Sequence, residues 1–165
     1  MKHILIAIIL ASAALAVKAD DSSGGKIFQA ALTPNVALQS RDTRIDGISL
    51  NIWGENPQTA FALGFVNGST GKSSGFTWGI VNYSETYTGV QLGFLNTASE
   101  LFVGLQDGAV NITREAHGVQ LGMVNYTDTL KGLQLGFVNI VTTSPWFKEF
   151  PDKLAKGFPF VNWSF

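Results

Sequence analysis

The chain has no cysteine among its 165 residues. That excludes a disulfide framework, a thiolate metal site and a thiol for lipid attachment, so stability must come from packing or from a bilayer. Charge is scarce: Asp, Glu, Lys and Arg make up 14% of the chain, 11 basic against 12 acidic, and the basic residues form no run. The electrostatic footprint of a nucleic-acid binder is therefore missing. Histidine occurs only as His3 and His117, too few for a His/Cys transition-metal site. Beyond the first residues no apolar run reaches the roughly 20 residues of a spanning helix.

What is present begins with an N-terminal leader pattern. Met1-Lys2-His3 precedes the apolar run Ile4 to Leu10 and an alanine-rich stretch ending Ala16-Val17-Lys18-Ala19. A basic start, a short apolar stretch and small residues at its end read as a cleaved secretory signal over residues 1–19. The expected organisation is a signal peptide at 1–19, an N-terminal segment at 20–44 forming a strand or lid, and a repeat β-domain at 45–165. Composition agrees with an unusual fold, since 45% of residues are hydrophobic and 18 are glycine, more apolar and less charged than an ordinary soluble domain.

One phrase recurs, clearest as Gly89-Val-Gln-Leu-Gly-Phe-Leu-Asn96 and Gly132-Leu-Gln-Leu-Gly-Phe-Val-Asn139. Its closing asparagines, Asn67, Asn82, Asn96, Asn111, Asn125 and Asn139, lie 15, 14, 15, 14 and 14 residues apart. Such a period means that one structural unit is copied side by side. Within the phrase Val90, Leu92 and Phe94 share one face of an extended strand while Gly89, Gln91 and Gly93 share the other. Glycines at fixed alternate positions argue against helix. Polar connectors such as Ser84-Glu85-Thr86 and Thr127-Asp128-Thr129 separate the copies and read as tight turns.

Two architectures carry this pattern. The expectation taken forward is an all-β, small antiparallel outer-membrane-type β-barrel of about eight strands, with the bulky face on lipid and the Gly/Gln face filling the lumen. Its strands fall at about 45–54, 59–67, 75–83, 87–96, 102–112, 116–126, 130–141 and 157–165. The connectors look too polar to form a second wall opposite Leu121 and Met123, which favours this reading. The alternative is a β-solenoid in which each copy is one coil, with Gln91, Gln106, Gln120 and Gln134 stacked in one ladder and the asparagines in another. Asp107 is a charge in the middle of a strand window and would face lipid in a barrel. Residues 26–40 add strands or form a lid, and the insert from Ser144 to Lys156 is an interfacial helix or a long aromatic loop.

The tandem Gly-x-Gln-x-Gly-x-x-Asn copies, complete at 89–96, 118–125 and 132–139, resemble a family of bacterial exported surface-repeat proteins whose members carry a signal peptide. Copies with Thr77 or Ala62 for glutamine depart from the pattern, and Gly47 to Gly54 is barely recognisable. The ending Asn162-Trp163-Ser164-Phe165 resembles the C-terminal strand of bacterial outer-membrane β-barrels, where a terminal aromatic is read by the assembly machinery. The resemblance brings no catalytic or binding residues with it.

A search for chemistry from the residues alone finds little. His117 reads as a solvated turn residue, and Glu85, Glu100, Glu115 and Asp128, spread over separate connectors, read as turn charges. No serine, histidine and acid set can be assembled for nucleophilic catalysis. The sequons at Asn67, Asn82, Asn111, Asn125 and Asn162 arise because the repeat ends in asparagine before serine or threonine, and the asparagine is expected to cap the strand and bond turn backbone. No catalytic residue, metal ligand or cofactor is therefore expected. The expected role is a non-enzymatic bacterial outer-membrane or cell-surface protein of structural or surface-interaction type, with outer-membrane lipid as partner. A secreted adhesion or matrix solenoid is the alternative, and a barrel-type membrane enzyme ranks below both.

Overall fold

The structure, a computed structural model, describes residues 24–165; the leader read at 1–19 lies outside them. Seven strands form one sheet: β1 (Lys26–Thr33), β2 (Val36–Ala37), β3 (Ile45–Asn56), β4 (Thr59–Trp78), β5 (Val81–Leu121), β6 (Val124–Val141) and β7 (Gly157–Ser164). Their order is β2-β1-β3-β4-β5-β6-β7. At 41 residues, β5 would stretch roughly 135 Å if straight. Instead it winds, and the chain makes about six turns of a β-solenoid.

The pairing overturns the antiparallel barrel. β1–β3, β3–β4, β4–β5 and β5–β6 are all parallel. Antiparallel pairing occurs only at the two ends, in β1–β2 and β6–β7. In the coils like residues lie opposite like: Asn67 on Asn82, Gly75 on Gly89, Asn111 on Asn125 and Gln120 on Gln134. Only a chain that advances by one strand spacing per repeat can do this, because an antiparallel neighbour would run each copy backwards against the last.

The barrel reading failed on one premise, that the bulky apolar face must meet lipid or core. Here the small and polar face is the inside. Gln91, Gln106, Asn96, Asn111 and Thr127 are fully buried, while Phe94 is 66% and Met123 57% exposed. The supposed turns at 84–86 and 127–129 do not reverse the chain; they are corners of the coil, with Ser84 and Thr127 pointing inward. The apolar interior is small: a column through Tyr87, Phe102, Ala116 and Leu130, flanked by Ala98 and Val141, with Ala31, Ile45, Ala60 and Ala62 buried towards the N-terminal end and Leu154 and Ala155 at the other. The rings of Tyr87 and Phe102 stack 6.2 Å apart, within the usual aromatic-pair range.

Glycine makes the coils close enough to stack. Gly118 has φ +135°, and a Cβ there would lie 2.1 Å from the carbonyl oxygen of Gly104 on the coil below. The same corner recurs at Gly75, Gly89, Gly104 and Gly132. The degenerate first copy also becomes intelligible. Gly54 stands in register with Asn67, and Asn51 folds into the space of its missing side chain to bond Asn67 Oδ1 at 2.9 Å.

Both ends are finished by other means. Residues 26–40 add β1 and β2, with the Gln29 amide donating to Asn56 at 2.8 Å. At the other end β7 turns back on β6, and Asn162 bonds the Ala155 carbonyl at 2.8 Å. The insert from Ser144 to Lys156 is a loop of turns without a helix, and its Trp146, Phe147 and Phe150 are exposed.

Replacing Gly118 by alanine combines a forbidden φ with a backbone collision, so Gly118→Ala should cost several kcal/mol in urea unfolding. Gly71 has φ +57° with no atom within 4 Å of an added Cβ. Gly71→Ala should therefore lose only about 1 kcal/mol; equal losses at the two sites would show that coil stacking imposes no steric limit.

Candidate interaction surface

Two amide ladders run through the interior. Each asparagine donates to Oδ1 of the next, from Asn51 through Asn67, Asn82, Asn96, Asn111 and Asn125 to Asn139, at 2.8–2.9 Å. The second amide hydrogen goes to backbone, as in Asn82 to Leu92 O at 2.8 Å and Asn111 to Leu121 O at 2.7 Å. The glutamine ladder donates the other way, from Gln134 to Gln120 to Gln106 to Gln91, at 2.8, 2.8 and 2.9 Å. The asparagines thus do not cap strands at turns, as the sequence suggested, but join coil to coil. Their burial and bonding also leave the sequons at Asn67, Asn82, Asn111, Asn125 and Asn162 enclosed.

The glutamine ladder breaks at Thr77, which stands opposite Gln91. Thr77 Oγ1 and Tyr87 Oη are buried there without a hydrogen bond, and Gln134 Oε1 ends the ladder unpaired at the other side. Burial pushes the Tyr87 phenol well above its ordinary value.

A second polar group links coils at the surface. Glu55, Gly68 and Tyr83 are successive residues of one column. Because Gly68 has no side chain, the Tyr83 ring lies across it, and a Cβ on Gly68 would be 2.4 Å from that ring. Tyr83 thereby spans two coils and donates its hydroxyl hydrogen to Glu55, while Trp53 Nε1 donates to Tyr83 Oη at 3.1 Å. Arg41 Nε holds the other carboxylate oxygen of Glu55 at 2.8 Å. Burial first, then the bond to Glu55, pushes the Tyr83 phenol up to about 12. Sequence reading missed this group, although the 28-residue separation of Glu55 and Tyr83 is two repeat periods and was a usable signal.

The charges singled out in the sequence stay apart. Glu85 accepts from Gly71 N at 2.8 Å, Glu100 from Thr86 Oγ1 at 2.9 Å and Asp128 from Thr142 Oγ1 at 2.9 Å. His117 Nε2 lies 2.8 Å from Glu115. Among the described residues no cluster of His, Cys, Asp or Glu is arranged to hold a metal.

The largest feature is outside. Every coil presents the Val/Leu/Phe positions of the phrase to its surface, so apolar columns run along the solenoid: Ile48 beside Phe61, Phe76 beside Val90, Val119 beside Leu133. Phe61 and Phe76 stack at 4.8 Å. Trp78, Phe94 and Phe137 are each more than 60% exposed. With β1 and β7 at its ends the face measures roughly 38 by 18 Å, from ~4.8 Å between strands and ~3.3 Å per residue. That is on the order of 700 Å², above the about 300–600 Å² typical of the largest patch on a monomer. Near its C-terminal end Gly122, Gly136, Phe137 and Phe160 line a shallow depression of about 210 Å³. Comparison of the chain with protein-family models, with curated proteins and with solved structures gave no match.

Two outcomes follow. The fold holds the Tyr83 proton more tightly than the unfolded chain, so this contribution to stability is full below pH 10 and lost between about 10 and 12. Ultraviolet titration should place one phenol near 12, absent in Tyr83→Phe, and Gly68→Ala should return it toward 10 by displacing the ring; an unmoved midpoint would refute the bridge. At the ladder break, Thr77→Val removes an unpaired buried hydroxyl at constant shape. It should raise stability by about 1 kcal/mol, whereas a loss in urea unfolding would mean that the hydroxyl is bonded.

Proposed function

We propose that this chain is a non-enzymatic, exported bacterial surface protein of the surface-repeat type its phrase resembles, with a structural or surface-interaction role. The observation that carries this reading is the continuous apolar outer face on a scaffold whose interior amides are joined from coil to coil. Exposed apolar area of this size marks a surface that works by contact. The scaffold suits that task, since each coil is tied to the next by buried hydrogen bonds and the face cannot easily change shape. Outer-membrane lipid belongs to the same reading as the partner. Glu55, Glu85, Glu100 and Asp128 each bond a residue of a neighbouring coil rather than converging on one cleft, which supports a contact role over a reaction.

The solenoid itself favours a second reading, a secreted adhesion or matrix protein, because solenoids present long repetitive surfaces to extended partners. Fractionation separates the two. Expressed with its leader in a bacterium having an outer membrane, the protein should remain with the envelope and be cleaved when intact cells are treated with protease. Recovery in the medium would select the secreted reading, and retention of the unprocessed chain in the cytoplasm would defeat both.

A further inference from the structure

The apolar face needs an occupant, and three observations narrow its chemistry. First, backbone polar groups along the coils are already paired in the parallel ladder. A partner therefore has to supply hydrocarbon contact and little hydrogen bonding. Second, the face carries one charge, exposed Asp107, whose carboxylate makes no ion pair among the described residues. Third, the flanks are amphipathic: Lys131 is exposed beside the Gly132 corner, and Trp53 and Tyr83 are hydrogen-bonded to each other at the opposite side.

Area alone would admit a second copy of the chain. Two such faces pressed together would bury on the order of 1,400 Å², within the standard range for stable interfaces. Charge decides against it. A self-pairing would bring Asp107 of each copy onto a field of Leu, Val and Phe that offers no cation, leaving two carboxylates desolvated and unpaired. An ammonium-bearing phospholipid surface supplies what the copy lacks. Its acyl boundary receives the aromatic and aliphatic columns, its mobile headgroups can bring an ammonium group and water to Asp107 as a rigid second face cannot, and the Trp, Tyr and Lys flanks match the headgroup zone.

We propose that the solenoid lies flat on a zwitterionic phospholipid surface through this face, bound in the interface without spanning the bilayer. The proposal rests on the surface-interaction reading and names its partner. Binding of this kind is driven by apolar burial, so it is insensitive to added salt, unlike attraction to anionic headgroups.

Flotation of the purified full chain with phosphatidylethanolamine/phosphatidylcholine vesicles tests it. The chain should float at low and at high salt. Phe94→Glu, at an exposed position of the face, should cut the bound fraction about tenfold, and Met123→Glu serves as a second variant should the first fail to fold by circular dichroism. Ser99→Glu adds the same charge on the exposed polar side and should float like the parent, which controls for charge alone. A parent chain that stays at the bottom overturns the proposal, as do face variants that float undiminished. Sedimentation showing a dimer without lipid, abolished by Phe94→Glu, would assign the face to a second copy instead. Loss of vesicle binding with surface display intact removes only the lipid face, whereas loss of display removes the surface role itself.

Discussion

The asparagine ladder is the interaction on which the rest of this structure depends. A buried primary amide has two donors and an acceptor to satisfy, and in an ordinary core that demand is hard to meet. Here Asn96 meets it with repeats of itself: it receives from Asn82, gives to Asn111, and sends its second hydrogen to Asp107 O. Each bond contributes about 1 kcal/mol net, but an amide removed from mid-ladder strands groups on both neighbouring coils at about 1–3 kcal/mol each. The asymmetry makes register nearly compulsory. A slip by one residue would bury phenylalanine or leucine where amides now sit and leave the amides outside.

From that register the other features follow. Coils stacked at strand spacing leave no room for a Cβ at the Gly118 corner, where the carbonyl of Gly104 already stands. An interior filled by amides, hydroxyls and a few apolar side chains has no space left for the remaining bulky ones, so Leu92, Phe94 and their repeats are placed outside. The exposed apolar face is thus a by-product of how the coil is held together as well as the feature most suited to contact. Phe94 and Met123 are available to a partner because Gln91 and Asn96 occupy the interior.

Much of this was legible beforehand, but at different depths. The 14–15-residue period, the strand character of the phrase and its division into a Val/Leu/Phe face and a Gly/Gln face all hold. Both ladders were visible as the consequence of the solenoid alternative. The preference for an antiparallel barrel came from applying to Leu121 and Met123 the usual rule that bulky apolar residues avoid water, and from reading Thr127-Asp128-Thr129 as a reversal. The rule concerns average burial and does not forbid an exposed apolar face. The Trp53–Tyr83–Glu55–Arg41 group was not found because its members are distant in sequence and meet only once coils are stacked, with Gly68 making the gap between them.

By itself, then, the sequence determined the unit and its two faces, since strand geometry alternates side chains whatever the tertiary fold. It also determined that whatever was built would be a row of equal copies. Which face turned inward, and whether neighbouring copies ran parallel or antiparallel, only the tertiary structure decided. Alternation is symmetric between inside and outside. The symmetry is broken when identical amides come within hydrogen-bonding distance at ~4.8 Å, and that distance exists only after the chain has wound once around and returned to itself.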